Sequence, residues 1–244
     1  MTVKVRFLGT GNAFADGGRS HACIHLEATG ASLLLDCGGS SLPAIKKAMD
    51  PETIQAIAIS HLHGDHFGGV PYFLMEQYFA GRKAPLAIGG PRELQQRSTR
   101  AGEALFKDFF GKITIDYGLS FVTLKETPVS LGGALVSALP VKHVAESDPH
   151  GLRVKIDGKL IAYSGDARWS EELVAVAKGA DLFICESTNF SKSDPAHLSY
   201  KDLITNRAQL DCGRIILTHL GREMQAHLGE LELEPAQDGL LLTL

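Results

Sequence analysis

The run His61-Leu62-His63-Gly64-Asp65-His66 sets four metal-ligand side chains within six residues. Neutral imidazole nitrogens and carboxylate oxygens are the donors that a divalent metal such as zinc accepts, at ~2.0–2.2 Å. Alternation along an extended segment sends His61 and His63 to one side. A turn at Gly64 then lets Asp65 and His66 point into the same space. A polar loop with satisfied histidines is the bland alternative, but packing gives no reason for this density of ligands. Gly68 and Gly69 follow at once and permit the next element to pack closely on the loop.

Such a loop has to be held by regular elements on both sides. Ile54 to Ser60 is a compact apolar strand that runs directly into it. Phe67 to Phe79 has the apolar spacing of a helix, with Pro71 in its first part, where proline is tolerated. Upstream, Val3 to Leu8 predicts a strand, and Cys23 to Glu27 with Ser32 to Asp36 a hairpin across Thr29-Gly30-Ala31. Ser40 to Met49 predicts a short helix, Leu86 to Ile88 a strand, and Pro91 to Phe110 a mostly helical stretch. The second half follows the same theme. Leu135 to Pro140 is a strand, and Leu152 to Ile156 pairs with Lys159 to Ser164 across Asp157-Gly158. Helices at Glu171 to Lys178 and Tyr200 to Gln209 alternate with strands at Asp181 to Cys185 and Arg214 to Thr218. Hairpins beside strand–helix alternation imply two mixed sheets covered by helices, an α/β protein and not a purely parallel sheet.

Composition narrows the class further. The 244 residues are 44% hydrophobic and 21% charged with net charge −4, which excludes a largely disordered chain. The acidic balance argues against a broad nucleic-acid-binding face. No window supplies the ~18 apolar residues of a membrane helix, and the start of the chain lacks a signal-peptide pattern, so the expected compartment is the cytoplasm. Cys23, Cys37, Cys185 and Cys212 show no paired spacing and are expected to be reduced and mostly buried. No linker or low-complexity run divides the chain, so residues 1–244 are expected to form a single domain.

With the His61–His66 motif in place, the sequence resembles the metallo-β-lactamase superfamily, whose HxHxDH loop supplies ligands to two metal ions. The resemblance runs from Gly9-Thr10-Gly11 to the end of the chain. It implies a four-layer αββα sandwich, two mixed β-sheets flanked by helices. It also implies a further histidine after a later strand. His143 in Leu139-Pro140-Val141-Lys142-His143 fits, with His150 as its competitor before Gly151. The bridging aspartate of the family corresponds to Asp166 in Ser164-Gly165-Asp166, and the last ligand to His219 after Ile215-Ile216-Leu217-Thr218. The implied sorting gives His61, His63 and His143 to one ion and Asp65, His66 and His219 to the other, with Asp166 shared. Two divalent ions are thus implied, zinc by default, with manganese or iron accepting the same donors. Such a pair shares a hydroxide and binds the substrate oxygen.

A second group of residues separates reaction classes. Asp181 to Phe190 contains Cys185-Glu186-Ser187-Thr188, followed by His197-Leu198-Ser199. That order is similar to ribonuclease Z and its phosphodiesterase relatives, in which a glutamate holds a later histidine that acts as general acid. Transferred here, Glu186 orients His197, His197 protonates the leaving oxygen, and Asp65 counts with them among the catalytic residues. The plainer roles are a strand-end acid and a helix-start residue. The chain departs from ribonuclease Z in having no Gly/Pro-rich basic arm. It also reads Leu220-Gly221-Arg222-Glu223-Met224 where the family has Ser-x-Arg-Tyr. It shares a C-terminal Asp238-Gly239 with the cyclic phosphodiesterase of phosphonate metabolism. The expected function is a dinuclear metal-dependent phosphodiesterase acting on a small or cyclic phosphodiester, or on an RNA 3′ end. The alternatives are a lactone or thioester hydrolase of the superfamily and a metal-binding module without activity. A homodimer follows by family analogy.

Overall fold

In the computed structural model, which describes residues 2–244, each half of the chain builds one sheet, except that the last strand of the second half joins the edge of the first sheet. The first half contains β1 (Lys4–Gly9), β2 (Cys23–Ala28), β3 (Ala31–Leu35), α1 (Ser41–Ala48), β4 (Ala56–Ala58), α2 (Gly64–Phe67), α3 (Val70–Phe79), β5 (Leu86–Gly90), α4 (Leu94–Leu105), α5 (Phe109–Lys112) and β6 (Leu119–Thr123). The second contains β7 (Val129–Leu131), β8 (Ala134–Pro140), β9 (His150–Ile156), β10 (Lys159–Tyr163), α6 (Glu171–Ala177), β11 (Ala180–Glu186), α7 (Tyr200–Asn206), β12 (Cys212–Thr218), α8 (Arg222–Ala226), β13 (Glu234–Pro235) and β14 (Leu241–Thr243). The sheet orders are β14-β1-β2-β3-β4-β5-β6 and β13-β12-β11-β10-β9-β8-β7. Each is antiparallel on one side and parallel on the other, with the change at β3–β4 and at β10–β11. The two halves share this plan without a visible sequence repeat.

Alternation along the strands makes three apolar layers. Leu33 and Leu35 of β3 meet Leu182 and Ile184 of β11 between the sheets. Leu34 faces the other way, with Ile45 of α1 and Phe73 of α3. Phe183 and Cys185 likewise turn outward to Leu173 of α6 and Leu203 of α7. Strands buried on both faces need apolar residues at successive positions, which is why these segments read as continuous runs. The result is the four-layer αββα sandwich. Among the described residues, no helix is long and apolar enough to cross a membrane. Cys23, Cys37 and Cys185 are buried free thiols, and Cys212 is half-buried.

Several elements differ from the sequence expectation. The strand expected over Ile54 to Ser60 shrinks to Ala56–Ala58, because its end peels away into the ligand loop. The helix expected over Phe67 to Phe79 divides into α2 and α3. At the junction Gly69 N–H donates to the Cys37 carbonyl at 2.8 Å. A Cβ on Gly69 would lie 2.3 Å from the Gly38 oxygen, so only glycine permits this approach. The stretch from Pro91 begins its helix at Leu94 and breaks after Leu105. The short edge strands β6, β7, β13 and β14 were not anticipated.

The loop between β1 and β2 is tied to the end of the chain. Asp238 Oδ1 accepts from Thr10 N (3.0 Å) and Thr10 Oγ1 (2.8 Å), and Oδ2 from Ser20 N (2.7 Å). Arg19 Nη1 donates to the Ala236 carbonyl at 2.7 Å. Asp238→Ala leaves these donors without their charged acceptor, at a cost of roughly 1–3 kcal/mol. The expected outcome is faster amide exchange confined to residues 10–20, measured by hydrogen–deuterium exchange. Unchanged exchange there would show that the clamp does not order the loop.

Candidate metal centre

Seven of the ligand-type residues singled out above emerge past the carboxyl ends of four strands, along one edge of the sandwich, whereas His150 opens β9. His61, His63, Asp65 and His66 follow β4, His143 follows β8, Asp166 follows β10, and His219 follows β12. Gly165 has φ +58, and a Cβ there would lie 2.8 Å from the His150 carbonyl oxygen and 2.9 Å from Ser60 Cβ. The tight turn it makes delivers Asp166 between the sheets. His219 itself has φ 58, a left-handed conformation uncommon for a non-glycine residue and frequent at working sites.

Two groups of potential ligands share Asp166. His61, His63 and His143 form one with it, and Asp65, His66 and His219 the other. In the first, His63 Nδ1 lies 3.1 Å from both His61 Nε2 and His143 Nε2, and Asp166 Oδ2 is 3.7 and 3.9 Å from those two. In the second, His66 Nε2 and His219 Nε2 lie 3.3 and 3.2 Å from Asp65 Oδ2, and 3.2 and 3.4 Å from Asp166 Oδ1. A tetrahedron with spokes of ~2.1 Å has edges of roughly 3.4 Å, so both groups have the spacing of ligands around a zinc-sized ion. His66 Nε2 and Asp166 Oδ1 are buried without a hydrogen-bond partner, as metal-facing atoms are. The donor set therefore fits divalent metal at both positions. His150 stands outside both groups, its Nδ1 2.8 Å from the Asp148 carbonyl.

The outer hydrogen bonds fix which nitrogen of each ring faces inward. Asp36, fully buried at the end of β3 with φ 58, is their hub. Its Oδ2 accepts from His66 Nδ1 (2.7 Å), Ser60 Oγ (2.8 Å) and Tyr163 Oη (2.8 Å), and its Oδ1 from Ser60 N (2.7 Å). Ser60 Oγ, having donated to Asp36, accepts from His61 Nδ1 at 3.0 Å. Thr188 Oγ1 donates to Glu186 Oε2 (2.7 Å) and accepts from His219 Nδ1 (2.8 Å). His143 Nδ1 donates to the Ala196 carbonyl at 2.7 Å. Each of these four rings is left with Nε2 as its inward atom.

Charge follows the same pattern. Burial alone would raise the Asp166 and Asp65 carboxyls, but the surrounding histidines hold both well below the usual carboxylate range. Burial, together with the neighbouring His66 charge, depresses His61 far below an ordinary imidazole. His63 is lowered by burial and by His143. His66 departs from this pattern: burial acts to lower it, but the Asp166, Asp65 and Asp36 charges lift it well above an ordinary imidazole, so a metal ion there would have to displace its proton.

Glu186 and His197 also meet as expected. His197 Nδ1 lies 3.1 Å from Glu186 Oε1, which also accepts from Ala167 N at 2.7 Å. Burial acts to lower the His197 imidazole, but the Glu186 charge and hydrogen bond outweigh it and lift it to about 9. The His197 ring lies 4.9 Å from that of His143 and stacks at 5.4 Å on that of His219. Sequence reasoning missed Asp36, Ser60, Tyr163 and Thr188. Asp36 carried a usable signal, a strand-end acid followed by Gly38-Gly39.

The family model described as "Anti-Pycsar protein Apyc1" matches residues 3–234. A ribonuclease Z from Anoxybacillus flavithermus is 28% identical, the match covering 96% of this chain and 92% of that one. The metallo-β-lactamase-fold protein YhfI from Bacillus subtilis superposes with TM-score 0.77 at 20% identity over the whole of both chains. Human tRNase Z, short form, gives TM-score 0.77 at 24% identity over 98% of each.

Because Asp36 orients two metal-facing rings at once, Asp36→Ala should weaken zinc retention by roughly 10–100-fold. Competition against a chromogenic chelator measures this. Wild-type retention in a folded variant would remove Asp36 from the metal centre.

Proposed function

The chain belongs to the family of the anti-Pycsar protein Apyc1, within the ribonuclease Z-like branch of metallo-β-lactamase-fold hydrolases, and we propose that it hydrolyses small or cyclic phosphodiesters. The observation that carries this reading is the placement of the Glu186–His197 pair, 3.1 Å apart, directly against a doubled ligand set that shares Asp166. His61, His63, His143 and Asp166 would hold one ion, and Asp65, His66, His219 and Asp166 the other. Zinc is the default occupant, and manganese or iron would accept the same nitrogen and oxygen donors. When bound, such ions supply an activated water and polarise a phosphoryl oxygen.

The chain's own residues do the rest. Asp36, Ser60, Thr188 and the Ala196 carbonyl lock the ligand rings. Glu186 keeps His197 protonated and turned by its Nδ1 hydrogen bond, which leaves Nε2–H as the ring's donor. Expelling an alkoxide from phosphorus needs such a proton, and a positioned general acid contributes roughly 10²–10⁴-fold. Opening a lactone or thioester has less need of it. The net charge of −4 favours a small substrate. The ribonuclease Z relative supports an RNA 3′ end as the second reading. Since one site needs ligands from both halves, a single domain within 1–244 belongs to the same reading.

Zinc-reconstituted protein should contain about two ions per chain by elemental analysis. His197→Ala should retain both ions and lose about 10²-fold or more in turnover of a dialkyl phosphodiester. The loss should be far smaller on bis-p-nitrophenyl phosphate, whose phenolate leaves without protonation, and Glu186→Gln should give a milder version. Equal losses on both substrates would sink the general-acid role. Hydrolysis of lactones or thioesters without any phosphodiester turnover would sink the reaction class.

A further inference from the structure

The rings of His197 and His219 open onto a cavity of about 670 Å³ whose rim includes Asn12, Phe14, Asn189 and Lys192. Phe14 is 84% exposed, more than any other large hydrophobic side chain among the described residues. Single exposed apolar side chains are common on protein surfaces and need no purpose. Two observations set Phe14 apart. First, it lines the same cavity as the proposed general acid. Second, its loop is folded to hold it there. Asn12 Oδ1 accepts from Phe14 N and Asp16 N, both at 3.2 Å, and Asn12 Nδ2 donates to Asp16 Oδ2 at 3.0 Å. Asp16 Oδ2 accepts in turn from Arg222 N at 3.0 Å, which binds the loop to the start of α8. The next residue, Ala15, sits at φ 54, a left-handed conformation that an alanine takes only under constraint.

The carboxylates around this cavity are already engaged, so they do not demand a cationic occupant. Glu223 accepts from Phe190 N, Ser191 N, Ser191 Oγ and Lys192 N at 2.9–3.3 Å. Asp194 Oδ1 accepts from Ala196 N at 2.8 Å and His197 N at 3.3 Å. Besides the Lys192 and Arg222 cations, the lining offers a ligand the Phe14 ring and the His197 proton donor.

We infer that this cavity receives the leaving half of the substrate and that Phe14 stacks on a planar ring carried by the departing alcohol. The inference rests on the phosphodiesterase reading, because a proton given by His197 places the leaving oxygen on this side of the metal ligands. A water oxygen bonds to phosphorus and gives up a proton to solvent, the P–O bond to that alcohol breaks, its electron pair stays on the leaving oxygen, and the His197 proton neutralises it. Phe14 touches only the ring. It therefore governs which diester is held, and leaves the bond-breaking step alone. An offset or edge-to-face aromatic contact is worth a few-fold to about tenfold in affinity.

The test compares bis(2-phenylethyl) phosphate with bis(2-cyclohexylethyl) phosphate, whose leaving alcohols have nearly the same basicity and differ in the flatness of the ring. With the zinc-loaded full chain, KM should be roughly 3–10-fold lower for the phenyl diester. Phe14→Ala should remove that difference, with kcat within about twofold and the cyclohexyl diester unaffected, and Phe14→Trp should restore it. A Phe14→Ala variant that shifts both diesters equally, or an unmutated protein without ring preference, would overturn the inference. Calorimetric binding of 3-phenylpropylphosphonate and 3-cyclohexylpropylphosphonate gives a readout that needs no turnover. If the unmutated protein cleaves neither diester, the reaction reading fails. Phe14-dependent preference for the phenyl phosphonate then still supports the ring platform, and loss of that preference overturns it.

Discussion

One buried carboxylate ties the architecture to the chemistry. Asp36 ends β3 in the first sheet, and it receives the Tyr163 hydroxyl from β10 of the second. It receives His66 and Ser60 from the ligand loop as well. A carboxyl group at 0% exposure is costly unless its oxygens are hydrogen-bonded, and four donors reach them. The same bonds that make its burial tolerable dock one sheet on the other and aim two imidazoles. The Tyr163 hydroxyl, raised by burial and by Asp36, remains a donor throughout the ordinary pH range. Asp36 thus links the two sheets and reaches both ligand groups, His66 directly and His61 through Ser60.

The doubled ligand set and the Glu186–His197 pair divide the site into two faces. On one side lie His61, His63 and His143. On the other, His219 stacks on His197 and leads out to the rim of the cavity. Thr188 joins the faces, since it touches Glu186, His197 and His219 with one hydroxyl. The loop from Thr10 to Ser20 forms the outer wall, and it is fastened by a residue from the far end of the chain. The candidate ligands, His197 and the rim are thus held by a small number of shared hydrogen bonds.

What the sequence disclosed depended on the separation between partners. The His61–His66 run was legible because its donors are crowded into one loop. Asp166 and His219 were found through resemblance, each standing just past a recognisable strand. Glu186 and His197, 11 residues apart, were legible in the same way. Asp36 left a local trace as a strand-end acid before Gly38-Gly39, but its bonds did not, because Tyr163 lies 127 residues away and His66 30. The fold class followed from apolar runs that two-sided burial requires. The strands that escaped notice are the edge strands, of which β13 has two residues and β14 three, too short for alternation to register. The break between α2 and α3 escaped because its cause, the approach of Gly69 to Cys37, comes from tertiary structure.

The spread of the ligands along the chain bears on how the molecule folds. His63 and His143 are 80 residues apart, and Asp65 and His219 are 154 apart. Ions held by these groups would act as cross-links closing two very long, overlapping loops. A cross-link of such span restricts the unfolded chain strongly, on the order of 4–5 kcal/mol in the chain-entropy treatment of covalent bridges. During synthesis the complete ligand set first exists when residue 219 has been added, so loading of both positions would belong to the last stage of folding.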